Sequence, residues 1–395
     1  MDSLLEGVRI LDLTRVLAGP YASMVLADLG AEVIKVELPS SGDESRGFGP
    51  FQNGESAYFT SVNRGKKSVT IDLRQERGRD LALGLAETCD VLVENFRPGS
   101  MDRFGLGYET VHAKYPHLVF ASISGFGQTG PYAQRPAYDV LIQAMGGLAS
   151  ITGEPNSPPV RVGSSIADLS AALFGAVGIL AALQRASRTG EGQQIDISML
   201  DCQVALLENA LARYAVSGEV PQPLGSRHPA ITPFQFFAVS DGHIVLAAGN
   251  DGLWRKLCTA LGLLDLIEDS RFADNALRTE NHAALEPLLA EVLADKTVAE
   301  WCEVLVQAGV PSGPLCDVGE VFNDEQIAAR EMIVEIDHPI AGRQAMPNSP
   351  LKFSQTPIQL QRPAPLLGQH TEEVLRDMLD LGTDEITGLR ADGVI

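Results

Sequence analysis

Residues 8–13 read Val-Arg-Ile-Leu-Asp-Leu, and residues 32–37 read Glu-Val-Ile-Lys-Val-Glu. Both are short runs rich in β-branched and apolar residues, the composition of buried strands. Between them, residues 21–29 carry apolar side chains at helical spacing, and Gly30 stands where a helix needs a left-handed C-cap. A strand, a helix and a strand in that order form a βαβ unit, whose two strands run parallel. The pattern repeats. Further strands are expected at 69–72, 91–94 and 118–124, with a helix at 78–88 between the first two. Repeated βαβ units imply an α/β, Rossmann-like domain: a parallel sheet with helices on its faces and ligands beyond the strand carboxyl ends.

Beyond this domain, residues 166–188 form the longest helical pattern. Residues 190–193 break it, 195–199 read as another strand, and 202–216 as a second long helix. Four prolines within 221–233 mark a linker. Residues 234–239 and 243–247, joined by Ser240-Asp241-Gly242, have the form of a hairpin. Helices are expected from there to 308, and after 337 an extended Pro- and Gly-rich tail with one terminal helix near 370–379. The division this implies is a large domain over 1–220, a linker and small α+β domain over 221–330, and a return to the large domain over 331–395.

Composition narrows the function. Of 395 residues, 51 are acidic and 30 basic, a formal charge of -21, so the basic footprint of a nucleic-acid binder is absent. An anionic ligand needs locally placed arginine or lysine instead. The five cysteines, Cys89, Cys202, Cys258, Cys302 and Cys316, show no CxxC spacing, which argues against a disulfide framework or zinc site and fits the cytoplasm. The seven histidines show no metal spacing. The N-terminus lacks the basic and apolar regions of a signal peptide. The apolar stretch at 171–183, interrupted by Gly175 and Gly178, is too short to span a bilayer and reads as a buried helix.

Residues 125–130 match G-x-G-x-x-G after a strand, but Pro131 follows where a nucleotide-binding helix would begin, so this is a loop. No P-loop, HExxH or GxSxG occurs. Arg74, Arg97 and Arg103 are candidate phosphate partners, and Phe96 a stacking surface for a base; alone, each also reads as an ordinary surface residue or packing contact. Asp168 lies in Ser165-Ile-Ala-Asp168 at the start of the long helix. This resembles a capping box, and there the positive helix end favours a carboxylate, the form that acts as a nucleophile. Tyr138 reads as core packing with a tethered hydroxyl, and Arg64 as loop charge.

Taken together, several segments resemble the family III CoA-transferases, the group of formyl-CoA transferase and carnitine CoA-transferase. They are residues 5–13, Ala18-Gly-Pro20, 29–37, Gly42-Asp43, Val93-Glu-Asn-Phe-Arg-Pro-Gly99, Ser124-Gly-Phe-Gly-Gln-Thr-Gly-Pro131, Tyr138-Asp139, 189–193 and Pro365-Leu-Leu-Gly-Gln-His370. The resemblance runs over nearly the whole chain. It implies that Asp168 is the nucleophile, carrying CoA as an aspartyl thioester between two acids. Val16, Arg74, Asn95, Phe96, Arg97, Arg103 and Tyr138 fall on its CoA-contact segments. CoA is then a substrate, with no permanently bound cofactor and no metal. The resemblance also implies a ring-shaped chain interlocked with a second copy as a homodimer. Two segments depart from the pattern: Leu38-Pro39 stands where the family often has a cation, and Gly225-Ser-Arg-His-Pro-Ala-Ile-Thr-Pro233 where formyl transferases carry consecutive glycines.

For a donor such as succinyl-CoA and a small dicarboxylic acceptor, the far carboxylate needs a cation. Arg64, with Tyr58 nearby in sequence, is the first expectation, followed by Arg46 and Arg15. Two other functions make different demands on these residues. An α-methylacyl-CoA racemase would place a histidine where Tyr138 stands, and a tyrosine of pKa roughly 10 is a poor base at neutral pH. A non-catalytic CoA-binding protein would have no use for Asp168.

Overall fold

The structure, a computed structural model, describes residues 3–360 and 362–395. Two compact units divide the chain: one takes in residues up to 148, 161–217 and 326–395, and the other Ala149–Val160 and Gly218–Glu325. The first unit is built on six strands: β1 (Arg9–Asp12), β2 (Glu32–Glu37), β3 (Lys67–Thr70), β4 (Val91–Glu94), β5 (Val119–Ser124) and β6 (Gln194–Ser198). They form one sheet in the order β3-β2-β1-β4-β5-β6, and every neighbouring pair is parallel. The chain builds outward from β1 to one edge, then restarts beside β1 and builds to the other. The point where direction reverses, between β1 and β4, leaves a crevice beyond their carboxyl ends.

Strand side chains alternate between faces. Ile10, Val33, Val93, Ala121 and Ile123 pack under the helices α1 (Ala18–Asp28) and, later in the chain, Ile166–Thr189. Leu11, Ile34, Leu92 and Phe120 pack on the opposite face with α2 (Glu76–Glu87) and with Val374, Leu375, Ile386 and Leu389 of the C-terminal segment. A short helix, α3 (Asp139–Met145), precedes the long one, α4 (Ile166–Thr189).

Gly175 and Gly178 do not interrupt α4. They are where it lies closest on the sheet: a β-carbon at Gly175 would sit 3.2 Å from Ile123, and one at Gly178 3.3 Å from Ile195. The helix runs 24 residues, close to the expected 166–188, and is long and apolar enough by length and composition to cross a membrane, which corrects the reading of its apolar stretch as too short. Its Ala167, Ala171, Ala176 and Ile179 are buried in the core.

Other boundaries also moved. The helix expected at 202–216 is two, Met199–Leu206 and Glu208–Ser217, parted where Glu208 takes a positive φ of 34°. The tail is less extended than its prolines suggest: Ile333–His338 and Gly342–Pro347 pair as an antiparallel hairpin, and a second terminal helix, Thr383–Ala391, follows Thr371–Leu379.

In the second unit the strand Phe234–Val239 pairs antiparallel with Gly242–Ala247, which also pairs with Ser312–Pro314. Helices Asp251–Leu261, His282–Leu293 and Val298–Gln307 close a core around Trp254, Phe272, Leu289 and Trp301. Residues 149–160 belong here, with Gly225 N–H donating to the Gly153 carbonyl at 2.9 Å.

Candidate active site

A cavity of about 830 Å³ opens at the carboxyl ends of β1, β4 and β5. Its wall comes from the loop after β1 (Arg15, Val16, Leu17), the loop after β4 (Asn95, Phe96, Arg97), the end of β5 (Ser124, Gly125), and the starts of α3 (Tyr138, Asp139) and α4 (Ser165, Asp168). All belong to the first unit.

Asp168 is half-buried in the first turn of α4. Burial, with the charge of Asp139 adding to it, pushes its carboxyl up to about 7. A helix dipole contributes roughly 0.3–1 kcal/mol to an acid at its N-terminus. That is less than one pKa unit, so the dipole does not hold this group in the ordinary carboxylate range. The capping box does not form either, because Ser165 makes no side-chain cap. Asp139 does that work from α3: its Oδ1 accepts the Ala167 N–H at 2.9 Å, and its Oδ2 accepts from Gln143 Nε2 at 2.8 Å. Tyr58 also lines the cavity, packed edge-on against Phe48. Burial raises its hydroxyl pKa, and the negative charges of Asp168, Asp43 and Asp139 raise it further.

The loops after β1 and β4 are tied together. Asn95 Oδ1 accepts the Arg15 N–H at 2.8 Å, and its Nδ2 donates to the Arg15 carbonyl at 2.7 Å. Glu94 Oε2 accepts the Phe96 N–H at 2.8 Å, and burial pushes the Glu94 carboxyl up to about 7. The Arg15 guanidinium lies 4.9 Å over the Phe96 ring and pairs with Glu44 at 2.7 Å. No side chain caps the start of α1, which follows directly in the same wall.

Of the residues singled out from sequence, Asp168, Val16, Asn95, Phe96, Arg97, Tyr138, Tyr58 and Arg15 are brought together here. Tyr138 is 76% exposed at the cavity wall. Arg74, Arg103, Arg46 and Arg64 are not. Arg74 grips Asp72 with two nitrogens, and Arg103 donates to Ser100 Oγ. Arg46 makes two hydrogen bonds to Glu37 and stacks 3.7 Å over Phe59. Arg64 is 4% exposed, bound to both oxygens of Asp28, and lies in the wall of a different cavity of about 670 Å³.

Two arginines in the wall were not singled out beforehand. Arg135 stacks 3.8 Å over Tyr132, and Arg161 donates to the carbonyl of Val162. Arg161 had one signal, its place just ahead of the Asp168 helix. Among the described residues no cluster of three His, Cys, Asp or Glu side chains is placed to hold a metal.

Residues 5–371 match the model of CoA-transferase family III. Succinyl-CoA:glutarate CoA-transferase of Mus musculus is 42% identical over 392 residues, 99% of this chain and 90% of that protein. Acetyl-CoA:oxalate CoA-transferase of Acetobacter aceti is 43% identical, over 92% of this chain and 93% of that one. A CAIB/BAIF family protein from Brucella suis, known from its crystal structure, superimposes with a TM-score of 0.85 at 41% identity, covering 96% of this chain and all of that one. The chain is a CoA-transferase of family III.

Proposed function

We propose that this enzyme moves coenzyme A from succinyl-CoA to a small dicarboxylic acid, with Asp168 as the covalent carrier. The observation that carries the reading is the placing of Asp168 in one cavity with the loops after β1 and β4. The mouse relative, named for succinyl-CoA and glutarate, supports the substrates.

The Asp168 carboxylate attacks the thioester carbonyl, the C–S bond breaks, and CoA thiolate leaves a mixed anhydride. The thiolate attacks the aspartyl carbonyl of that anhydride and releases the donor acid. The acceptor carboxylate then attacks the aspartyl thioester and expels the thiolate once more, which takes the acceptor's acyl group and frees Asp168. Each addition develops an oxyanion. The N–H groups of Leu17, the N-cap of α1, and of Ala18, its first residue, both in the cavity wall, are the donors assigned to it. Arg97 is assigned to phosphate, Phe96 to the base, and Val16 and Tyr138 to the rest of CoA. The far carboxylate of the acceptor goes to Arg161, whose guanidinium is not committed to an acid, whereas Arg15 already pairs with Glu44.

The assembly proposed is the interlocked homodimer. Leu173, Phe174 and Val177 support it: they are 51%, 48% and 64% exposed along α4, an apolar stripe suited to a second copy. The free cysteines fit the cytoplasm.

The test is incubation with succinyl-CoA and a panel of mono- and dicarboxylates, with CoA esters read by mass spectrometry and Asp168→Ala alongside. A new acyl-CoA made by wild type and lost in the variant supports the reading and names the acceptor. No exchange, together with deuterium uptake at the α-carbon of a branched acyl-CoA, replaces it with a racemase.

A further inference from the structure

We infer that Asn95 and Asp43 are positioning residues for acyl-CoA binding, because together they fix the strained Arg15–Val16 turn that forms one wall of the cavity. The inference rests on the CoA-site reading above. The last sheet hydrogen bond on this segment is from Leu13 N–H to the Val93 carbonyl, at 2.9 Å. Past it the chain stands at the switch point, where the main chains of β2 and β4 no longer reach it. Side chains take over. Thr14 N–H donates to Asp12 Oδ1 at 2.8 Å, and Lys35 Nζ donates to the Thr14 carbonyl at 2.7 Å. Asn95 takes both the N–H and the carbonyl of Arg15, and Asp43 Oδ1 accepts the Val16 N–H at 3.1 Å. Every backbone polar group from Thr14 N–H to Val16 N–H is thus held by a side chain.

This grip has something to oppose. Val16 has φ 67°, a left-handed conformation that a β-branched residue adopts only when its surroundings impose it. The two clamps reach it from opposite neighbours of β1: Asn95 follows β4, and Asp43 follows β2. Asp43 is itself immobilised. Its carboxylate pairs with Lys35 at 2.8 Å, both side chains almost wholly buried, and accepts the Ser45 N–H at 2.9 Å. Its own N–H donates to Glu37 Oε2 at 3.0 Å. The amide of Asn95 is engaged at both ends on Arg15, so its effect on CoA passes through the turn. The same turn carries the Arg15 guanidinium over Phe96 and leads directly into the uncapped start of α1.

The test measures free CoA binding by calorimetry, KM and kcat for succinyl-CoA, and Tm. It compares wild type, Asn95→Ala, Asn95→Asp, Val16→Gly and the Val16→Gly/Asn95→Ala double variant. Losing two backbone anchors in Asn95→Ala should weaken CoA roughly tenfold and raise KM by a similar factor, with a smaller change in kcat. Asn95→Asp keeps the acceptor for Arg15 N–H and should fall between. Glycine adopts positive φ without strain, so the Asn95→Ala penalty should shrink several-fold in the Val16→Gly background. The same penalty in both backgrounds would mean that Asn95 touches CoA itself. A lower Tm with unchanged CoA affinity would mean a purely structural role. Either overturns the inference while leaving the transferase reading standing; a wild type that binds no CoA removes both. Asp43→Asn is a companion variant and should show the same KM-weighted loss wherever it folds.

Discussion

Asp139 Oδ1 accepts the N–H of Ala167 at 2.9 Å, so the carboxylate that caps α4 stands beside the proposed nucleophile of the next residue, Asp168. Burial and the Asp139 charge hold the Asp168 carboxyl near 7. Only its ionised form attacks a thioester, so kcat/KM of wild type should fall as pH drops below about 7. Asp139→Asn keeps an oxygen for the Ala167 N–H and removes the charge. The Asp168 pKa then decreases, and the acidic limb of the profile moves to lower pH. Burial is the larger cause of the shift, so part of the elevation should persist. A limb that stays where it is in Asp139→Asn would show that this charge does not act on the nucleophile.

The same shift has a consequence for stability. The unfolded chain loses the Asp168 proton near 3.8, whereas the folded chain keeps it until about 7. The native state therefore binds more protons across that window, and its stability declines as pH rises through it. At pH 8 the charged carboxylate is a load on the fold. Asp168→Asn should raise stability there by an amount on the order of 1–3 kcal/mol, discounted for the half-exposed setting. The gain should vanish at pH 4. Thermal unfolding at the two pH values checks the sign; a variant less stable than wild type at pH 8 refutes it.

What the sequence revealed and what it hid have physical causes. Residues 8–37 were legible because each element is buried on a regular face, and burial writes its period into the apolar residues. Asp168 stood out only through resemblance, since locally it reads as a cap, and the residue that does the capping, Asp139, comes from another helix. The arginines were the least legible. Arg64 meets Asp28, and Arg46 meets Glu37, only once β2 and its neighbouring segments have folded together. No local pattern distinguishes such a paired arginine from one free to meet a ligand. The hairpin at 333–347 was obscured by the prolines and glycines around it.

Arg161 provides the sharpest test of substrate class. Its guanidinium donates to a single backbone carbonyl, that of Val162, in the cavity that holds Asp168. A charge-assisted hydrogen bond is worth about 1.5–3 kcal/mol, so Arg161→Met should raise KM for dicarboxylic acceptors by a factor of about 10–150. KM for a monocarboxylate of similar length and affinity for free CoA should change little. Acceptor kinetics with a matched pair of acids, alongside CoA calorimetry, decide the matter. An equal loss for both acids sinks the assignment, and weaker CoA binding would move Arg161 to the phosphates.

Arg64 should behave in the opposite way. Its Nε and Nη2 bind the two oxygens of Asp28 at 3.0 and 2.6 Å, and its Nη1 donates to the Pro347 carbonyl at 2.8 Å, all at 4% exposure. Arg64→Ala leaves Asp28 buried without its counterion, a change that typically costs about 3–5 kcal/mol. Tm should drop clearly, while the preference for dicarboxylic over monocarboxylic acceptors stays as in wild type. Because the penalty comes from the orphaned charge more than from the lost pair, Asp28→Leu combined with Arg64→Met should recover much of the stability. Calorimetric unfolding of the three variants separates these contributions. If Arg64→Ala instead kept its Tm and lost the dicarboxylate preference, the far carboxylate would belong to Arg64, and Arg161 would lose the role given to it here.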